Sequence, residues 1–182
     1  YCAFDAVVVE AHLRGKAVLG VYPLLQDETC RFLAIDFDEE SWRADVAMTV
    51  QAARESDIPC AVEISRSGNG AHLWIFFAEP VEAAKARQMG SALLTQAMKK
   101  HARLAFSSYD RMFPNQDPMP KGGFGNLTAL PLQPAAARQG GSLFVDERWQ
   151  PYPDQWVYLS GVQKLNAAQI DILLTRLPAQ PL

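Results

Sequence analysis

The order in which two hydrophobic patterns alternate along the chain constrains its fold more than any other feature. The run Arg31–Asp38 is apolar and β-rich until it ends in acids, and Ala17–Leu25 before it is a candidate partner strand. Apolar residues then recur at a helical period after Ser41, which can cap a helix, and before Pro59, which ends it. The sequence therefore predicts a strand followed by an amphipathic helix.

The next segment predicts a hairpin and a second helix. Cys60–Ser65 and Ala71–Phe77 are strand-like, and the small residues Ser67–Gly70 favour a tight turn between them. Val81–His101 is rich in helix-forming residues, and another strand is expected near Leu104–Tyr109. This order is the split β-α-β-β-α-β pattern of ferredoxin-like and RNA-recognition-motif folds. The predicted class is α+β, with an antiparallel sheet that an N-terminal β-hairpin and a C-terminal extension support.

The remaining segments are predicted to flank this core. Residues 113–134 are rich in proline and glycine and should be irregular apart from a short strand at Leu127–Leu132. A strand at Ser142–Asp146, a Trp- and Tyr-rich stretch and a helix at Asn166–Arg176 follow. Because the chain opens at Tyr1 rather than Met, we expect a single domain cut from a longer protein. Its expected parts are an N-terminal part of about 1–30, a core of about 31–135 and a C-terminal extension of about 136–182.

Charge is unevenly distributed, although the net charge is only -3. Residues 1–40 carry eight acidic and three basic side chains, whereas residues 85–140 carry eight basic and two acidic ones. This asymmetry could form a metal site beside a phosphate-binding surface, and solvated helix faces would explain the same counts. No apolar run approaches the ~18 to 20 residues of a membrane span, so we expect a cytoplasmic protein without membrane partners.

The cysteines Cys2, Cys30 and Cys60 are odd in number and have no C-x-x-C spacing. This pattern argues against a disulfide framework and against a self-contained zinc cluster, so reduced buried thiols are the expected state. The alternative is a metal site that uses Cys2, Cys30 or His12, or ligands from outside this segment.

Asp36 and Asp38 are the first candidates for chemistry. Strand side chains alternate, so both carboxylates point to one face, with Cα atoms about 7 Å apart. Two carboxylates at that spacing can converge on a pair of divalent cations, although solvated acids at a strand end give the same D-x-D string and sugar-nucleotide transferases also use it. In the predicted topology Asp38 comes close to His72, and Asp110 lies near the predicted fourth strand, which is the other neighbour of the first.

The turn before His72 is the second candidate. Arg66, Ser67, Gly68, Asn69 and Gly70 could present backbone N–H groups and a hydroxyl to a triphosphate, although a tight hairpin also requires Asn-Gly.

Basic and aromatic residues outside these motifs are weaker candidates. Arg111 and Lys121 are phosphate-contact candidates that could equally be exposed loop charges. Base stacking is an alternative role for the C-terminal Trp and Tyr residues, whose favoured role is to pack onto the sheet.

Three motifs together resemble the archaeo-eukaryotic primase superfamily, which has an acidic strand, a small-residue turn leading to a histidine, and a later acid. They are Leu33–Asp38, Ser67–His72 and Tyr109–Asp110. Longer strings are similar to the primases of TOTE conflict systems and to CRISPR-associated primase-polymerases; they are Tyr22–Leu25, Ser65–Trp74, Tyr109–Asp117 and Gly122–Gln133. The resemblance spans roughly residues 12–160 and implies template-directed nucleotidyl transfer on a primase catalytic core.

The resemblance also implies roles for individual residues. Asp36, Asp38 and Asp110 would hold two Mg²⁺ or Mn²⁺ ions, and His72 with the turn from Ser67 to Gly70 would bind the incoming NTP or dNTP. Arg66, Arg111 and Lys121 would contact phosphates or template. The implied partners are single-stranded or primed DNA, flanking domains, and components of CRISPR adaptation or a conflict system.

One departure limits this expectation. The cysteines do not form the zinc module with which many primases initiate, so we expect extension of an existing primer before unaided initiation. No Walker lysine motif is present, so ATPase activity is not expected of this segment. The alternatives are a non-catalytic single-strand-binding module on the same sheet and a two-metal nuclease, although three acids facing a phosphate backbone argue against a pure binder.

Overall fold

The computed structural model describes residues 2–100, 108–121 and 123–177. The helices in these residues are α1 (Ala6–Leu13), α2 (Trp42–Glu55), α3 (Ala83–Lys100), α4 (Pro134–Ala137), α5 (Gln155–Gly161) and α6 (Ala167–Arg176). The strands are β1 (Gly20–Val21), β2 (Thr29–Phe37), β3 (Ala61–Ile64), β4 (Ala71–Glu82), β5 (Tyr109–Phe113), β6 (Thr128–Ala129) and β7 (Phe144–Val145). None of the helices in the described residues is long and apolar enough to cross a membrane.

A five-stranded antiparallel sheet in the order β5-β2-β4-β3-β7 forms the centre of the molecule. Its first four strands, with α2 after β2 and α3 after β4, have the order and connections of the split β-α-β-β-α-β pattern. The predicted α+β fold with an RNA-recognition-motif-like sheet is therefore confirmed. β2 lies between β4 and β5 and runs antiparallel to both. The C-terminal end of β2 therefore lies beside the first residues of β4 and of β5.

One face of the sheet is aliphatic and is covered by helices. Leu33 and Ile35 pair with Ile75 and Leu73, and their side chains belong to a core that α2, α3 and α6 close. Burial of each such side chain contributes about 1.5 to 3 kcal/mol. At Gly90 of α3 an added Cβ would lie 2.6 Å from a Leu33 methyl carbon, so glycine allows this helix to approach β2 closely.

The other face carries aromatic residues beneath the C-terminal extension. Trp74, Phe113 and Phe144 are buried there, and Tyr152 and Tyr158 pack against them. The two tyrosine rings stack with centroids 3.7 Å apart. The predicted packing of C-terminal aromatic residues onto the sheet is therefore confirmed for these residues, whereas Trp156 remains 60% exposed.

The predicted N-terminal β-hairpin is wrong. β1, which lies inside the predicted strand Ala17–Leu25, pairs with β6 in a separate two-stranded sheet. β4 and β5 take both sides of β2 only over Ala34–Phe37, and β1 pairs instead with β6, a segment so distant in the sequence that no local pattern reveals the pairing. The short strand predicted at Leu127–Leu132 is confirmed, and its partner is the segment that had been assigned to the hairpin.

His12 does not have the metal-binding role that was considered for it. It lies in α1, a helix that the sequence patterns did not predict, and it is fully buried. Nε2 lies 2.9 Å from the carbonyl oxygen of Pro131, and Nδ1 accepts from the backbone N–H of Leu19 at 3.2 Å. Because both ring nitrogens serve backbone groups, His12 fastens α1 to the small sheet and has no nitrogen left for a cation.

The other predicted elements lie close to their observed positions. The hairpin, both long helices and the strand at Ser142–Asp146 are confirmed, and Asn166 caps α6 through a reciprocal pair of hydrogen bonds with Gln169. The fourth strand is at Tyr109–Phe113 rather than near Leu104–Tyr109, and residues 101–107 lie outside the described residues. The short helices α4 and α5 were not predicted.

The three thiols are free. Cys30 is buried and Cys60 half-buried, whereas Cys2 is exposed, so the prediction of buried reduced thiols holds for two of them. Burial raises the pKa of Cys30 to about 12 and that of Cys60 to about 11.

Candidate functional site

Three acids converge where β2, β4 and β5 meet. Asp36 lies near the end of β2, Asp38 directly follows that strand, and Asp110 is the second residue of β5. One carboxylate oxygen from each lies within 4.8 Å of those from the other two, and in the described residues this is the group with the composition and geometry to hold a metal ion. The structure therefore brings together the three acids that the sequence singled out.

A β-bulge places Asp110 in this cluster. Arg111 pairs with Asp36 and Tyr109 pairs with Phe37, so Asp110 is an extra residue on β5. In a regular ladder the residue opposite Asp36 shares its face, and its neighbour Asp110 would point to the helix-covered side. The bulge changes the direction of the side chain at this point and brings Asp110 to the acids of β2.

The three carboxylates bring negative charges close together at a partly buried position. Burial is the largest cause that raises the pKa of Asp36 to about 6, and the nearby charges of Asp38 and Asp110 raise it further, while His72 and Arg111 oppose the shift. Three convergent carboxylates are oxygen ligands of the kind that Mg²⁺ and Mn²⁺ prefer. The donor set therefore fits a divalent cation, which would balance the negative charge that the three acids bring together.

Arg111 also contacts the cluster. Its guanidinium forms an ion pair with Asp110, and both side chains are partly exposed. The structure thus places this basic residue beside one of the acids. A guanidinium in that position can exchange its carboxylate partner for a phosphate, since it binds both groups with the same fork of donors.

His72 lies on the same face, opposite Asp36 rather than Asp38. Its Nε2 is 3.4 Å from Asp36 Oδ1, and its Nδ1 is 2.8 Å from Glu63 Oε2. Burial lowers the pKa of His72, but the hydrogen bond to Glu63 and the charges of Glu63, Asp36 and Asp38 outweigh it, so the pKa is raised overall. Glu63 therefore orients the imidazole, with Nε2 directed towards the acids.

Glu63 was not identified from the sequence. It is buried on β3, and its Oε2 also accepts a hydrogen bond from Trp74 Nε1 at 3.1 Å. A signal was available, because Glu63 is the one acid in the predicted strand Cys60–Ser65 and the hairpin register places it beside His72.

The turn between β3 and β4 lies against the acids. Gly68 N–H donates to the Ser65 carbonyl and Ser65 N–H donates to the Gly70 carbonyl, both at 2.9 Å, and Gly68 has a φ of +79° that favours glycine. A Cβ on Gly70 would overlap Phe37 O and Asp38 Oδ1. Gly70 is therefore required for the turn to approach the end of β2.

A second segment presses on this turn from the other side. A Cβ on Gly141 would lie 2.8 Å from the Ser65 carbonyl oxygen and 3.0 Å from that of Arg66. Ser67 Oγ accepts from Asn69 N–H at 3.2 Å. The turn is thus fixed by its own hydrogen bonds and by contact on both sides.

Two predicted basic contacts lie in loops. Arg66 is exposed in the turn itself, and Lys121 is exposed in the irregular segment that follows β5. Their roles remain predictions.

One family model matches nearly the whole chain. The family model for the archaeo-eukaryotic primase domain of TOTE conflict systems matches residues 1–173. Among solved structures, the polymerase domain of Mycobacterium tuberculosis ligase D in complex with DNA is similar at 19% identity and a TM-score of 0.37. That match covers 81% of this chain and 51% of the other, so this chain spans about half of that one. No curated protein matches the chain at a significant level.

Proposed function

The chain belongs to the archaeo-eukaryotic primase domain family of TOTE conflict systems, and from this membership we propose that it is a template-directed nucleotidyltransferase. It would extend a primer on a DNA template from nucleoside triphosphates, and initiation is a further activity of the same site. The observation that carries the proposal is the convergence of Asp36, Asp38 and Asp110 within 4.8 Å, with the turn around Gly70 directly beside Asp38.

The proposed reaction is an in-line phosphoryl transfer. The primer 3′ oxygen forms a bond with the α-phosphorus of the incoming nucleotide, the bond from that phosphorus to the β-phosphate breaks, pyrophosphate leaves, and the hydroxyl proton passes to solvent. Two Mg²⁺ or Mn²⁺ ions, when bound, stabilise the attacking and leaving oxygens. Asp36, Asp38 and Asp110 would hold these ions, since their carboxylate oxygens converge within 4.8 Å of one another.

The residues around the acids have separate tasks in this proposal. His72, oriented by Glu63, directs Nε2 towards the incoming triphosphate and contributes to catalysis by neutralising its charge. The turn Ser67–Gly70 provides small residues that allow phosphates to approach the backbone. Arg66, Arg111 and Lys121 contact phosphates or the template.

The partners follow from the same chemistry. They are single-stranded or primed DNA and NTPs or dNTPs, with flanking domains and other components of a conflict or CRISPR adaptation system supplying the context. As a domain arrangement we propose one catalytic unit in which the C-terminal extension supports the sheet.

The single-strand-binding alternative has less support. Such a module would stack bases on the aromatic face of the sheet. Trp74 and Phe113 on that face are buried, and Tyr152 and Tyr158 pack against the same cluster. Bases would therefore have to displace the C-terminal extension before they could stack there.

The test is extension of a labelled primer on a DNA template with Mg²⁺ or Mn²⁺ and each nucleotide set. We expect metal-dependent growth, and we expect Asp36→Asn to reduce the rate by about 100-fold or more, because it removes a charge that stabilises the transition state. An unprimed template in parallel tests initiation.

Asp171→Asn is the matched control, because Asp171 is an exposed acid on α6 that pairs with Lys85. It should leave the rate unchanged. Loss of labelled DNA without nucleoside triphosphates would instead identify a nuclease. DNA binding without product under any condition, with Asp36→Asn binding as tightly or more tightly, would overturn the catalytic proposal in favour of the binding module.

A further inference from the structure

A fourth acid, Asp45, lies buried behind the cluster and has no role in the proposed reaction. It belongs to the first turn of α2 and is only 1% exposed. Its Oδ2 accepts three hydrogen bonds: from Ser41 Oγ at 3.1 Å, from Ser108 Oγ at 2.5 Å and from Ser108 N–H at 3.3 Å. A single carboxylate oxygen therefore connects the start of α2 with the residue that precedes β5.

This arrangement is costly for a residue with a purely structural role. Burial of a carboxylate carries a large desolvation penalty, which hydrogen bonds offset only in part. The other oxygen, Oδ1, is buried and has no hydrogen-bond partner in the part of the chain that the structure describes. Apolar packing could join α2 to β5 at lower cost, so the carboxylate points to a requirement for defined geometry.

Ser108 connects the carboxylate of Asp45 to the acids of the cluster. Its carbonyl oxygen accepts the backbone N–H of Asp38 at 2.7 Å, and it lies two residues before Asp110. Ser41, the other side-chain partner of Asp45, lies three residues after Asp38. The carboxylate of Asp45 thus binds the segment that follows Asp38 and the segment that precedes Asp110.

We propose that Asp45 is a positioning residue, which acts through Ser108 to hold Asp38 and Asp110 at the separation that a shared divalent cation requires. This inference rests on the proposed function, since it assigns a cation to these acids. Asp45 itself touches neither the cation nor the nucleotide. Groups that orient metal ligands from outside typically change metal affinity by about 10- to 100-fold when they are removed.

The experiment measures Mn²⁺ binding by electron paramagnetic resonance, with and without a non-hydrolysable nucleoside triphosphate. Asp45→Ala should weaken Mn²⁺ binding by about tenfold, at the low end of that range because it acts through Ser108. Ser108→Ala should change it in the same direction by less, since the Ser108 N–H remains. Asp45→Asn should retain most of the wild-type Mn²⁺ affinity, because an amide oxygen can accept the same hydrogen bonds.

Thr49→Val is the matched control. Thr49 is also fully buried on α2, and its hydroxyl donates to the backbone carbonyl of Asp45 at 2.8 Å. The substitution disturbs the same turn of the helix but leaves the carboxylate and its partners in place. We expect Mn²⁺ affinity within twofold of the wild type, even where the melting temperature falls as far as in Asp45→Ala.

Amide hydrogen exchange at Asp38 reports the link without any metal. Asp45→Ala should speed exchange at this N–H, because its acceptor on Ser108 is no longer fixed. Wild-type Mn²⁺ affinity in Asp45→Ala, unchanged exchange at Asp38, or an equal loss of affinity in Thr49→Val would each overturn the positioning role. Absence of Mn²⁺ binding by the wild type would instead overturn the proposed function.

Discussion

The two faces of the central sheet use the same strands for different purposes. On the helix-covered face Leu33, Ile35 and Leu73 are fully buried in an aliphatic core. On the other face the alternate residues Asp36 and His72 belong to the site. Each strand therefore contributes to stability with one set of residues and to chemistry with the next, so the two properties can be changed separately.

The second face is itself divided along the strands. Towards the middle of β4 it is aromatic, and the rings of Trp74 and Phe76 lie nearly parallel with centroids 6.0 Å apart. At the start of β4 it carries His72, with Asp36 opposite. The aromatic cluster around Trp74 packs β2, β4 and β5 together next to the ends that carry the acids.

The largest effect on stability should come from the helix-covered face. Leu73→Ala removes a fully buried side chain that faces Ile35 and should lower the free energy of unfolding by about 2 to 5 kcal/mol, which thermal denaturation would measure. Primer extension well below the melting temperature should stay near the wild-type rate, because no residue of the site is touched.

Val157→Ala is the comparison for that change, since Val157 is 68% exposed on α5. It should alter stability by less than about 0.5 kcal/mol. A Leu73→Ala protein that is folded but has lost metal binding would break the proposed separation of the two faces.

Periodicity predicted most of the strands, the long helices and the order of the four core strands, because these depend on which residues alternate along a local segment. It also predicted that Asp36 and Asp38 lie near His72. These inferences required only the period of strand side chains and the antiparallel order of neighbouring strands.

The missing features depend on contacts between distant segments. The bulge at Asp110 is one extra residue in a ladder, which no hydrophobic pattern records. β1 pairs with β6 rather than with β2, and this pairing joins two segments that lie far apart in the sequence. Asp45 was missed because a buried acid in a helix looks like a solvated one until its partner is known, whereas Glu63 could have been found from the hairpin register that places it beside His72.

An effect of intermediate size is expected where the turn meets the acids. Gly70→Ala places a methyl group on the Phe37 carbonyl and the Asp38 carboxylate, so either the turn or the acid must move. Overpacking of this kind costs about 1 to 3 kcal/mol, and we expect primer extension to fall by at least about tenfold because Asp38 is displaced. Steady-state kinetics with titrated Mn²⁺ would show whether metal affinity falls as well.

Gly161→Ala serves as its control, because no atom lies within 4 Å of the Cβ that it would add. Its rate and melting temperature should match the wild type. Normal activity in Gly70→Ala would mean that the turn can move without affecting Asp38, which would remove the steric link between the two parts of the site.

The smallest expected effect is an increase in stability, and it concerns the free energy that is lost when Asp36 is ionised in the folded protein. Burial, together with the charges of Asp38 and Asp110, raises the pKa of Asp36 to about 6 against the opposing effects of His72 and Arg111. In the metal-free protein the folded state therefore holds a proton that the unfolded state releases near pH 4. Its stability consequently falls as the pH rises between these values and stays lower above pH 6.

Asp36→Asn cannot titrate, so it should escape this loss. Measured in a chelating buffer, it should differ little in stability from the wild type at pH 4 and should be more stable by about 1 kcal/mol at pH 7, less than the full linkage value because the carboxylate is partly solvated. Denaturant unfolding at both pH values would measure the difference, with Asp171→Asn as the exposed control. Addition of Mn²⁺ should stabilise the wild type, because a cation that binds only the folded state raises the free energy of unfolding. It should not stabilise the variant, which lacks one of the three carboxylates. A variant that is less stable than the wild type at pH 7 without metal would show that Asp36 stabilises the fold, and the separation between the two faces would then fail at its central residue.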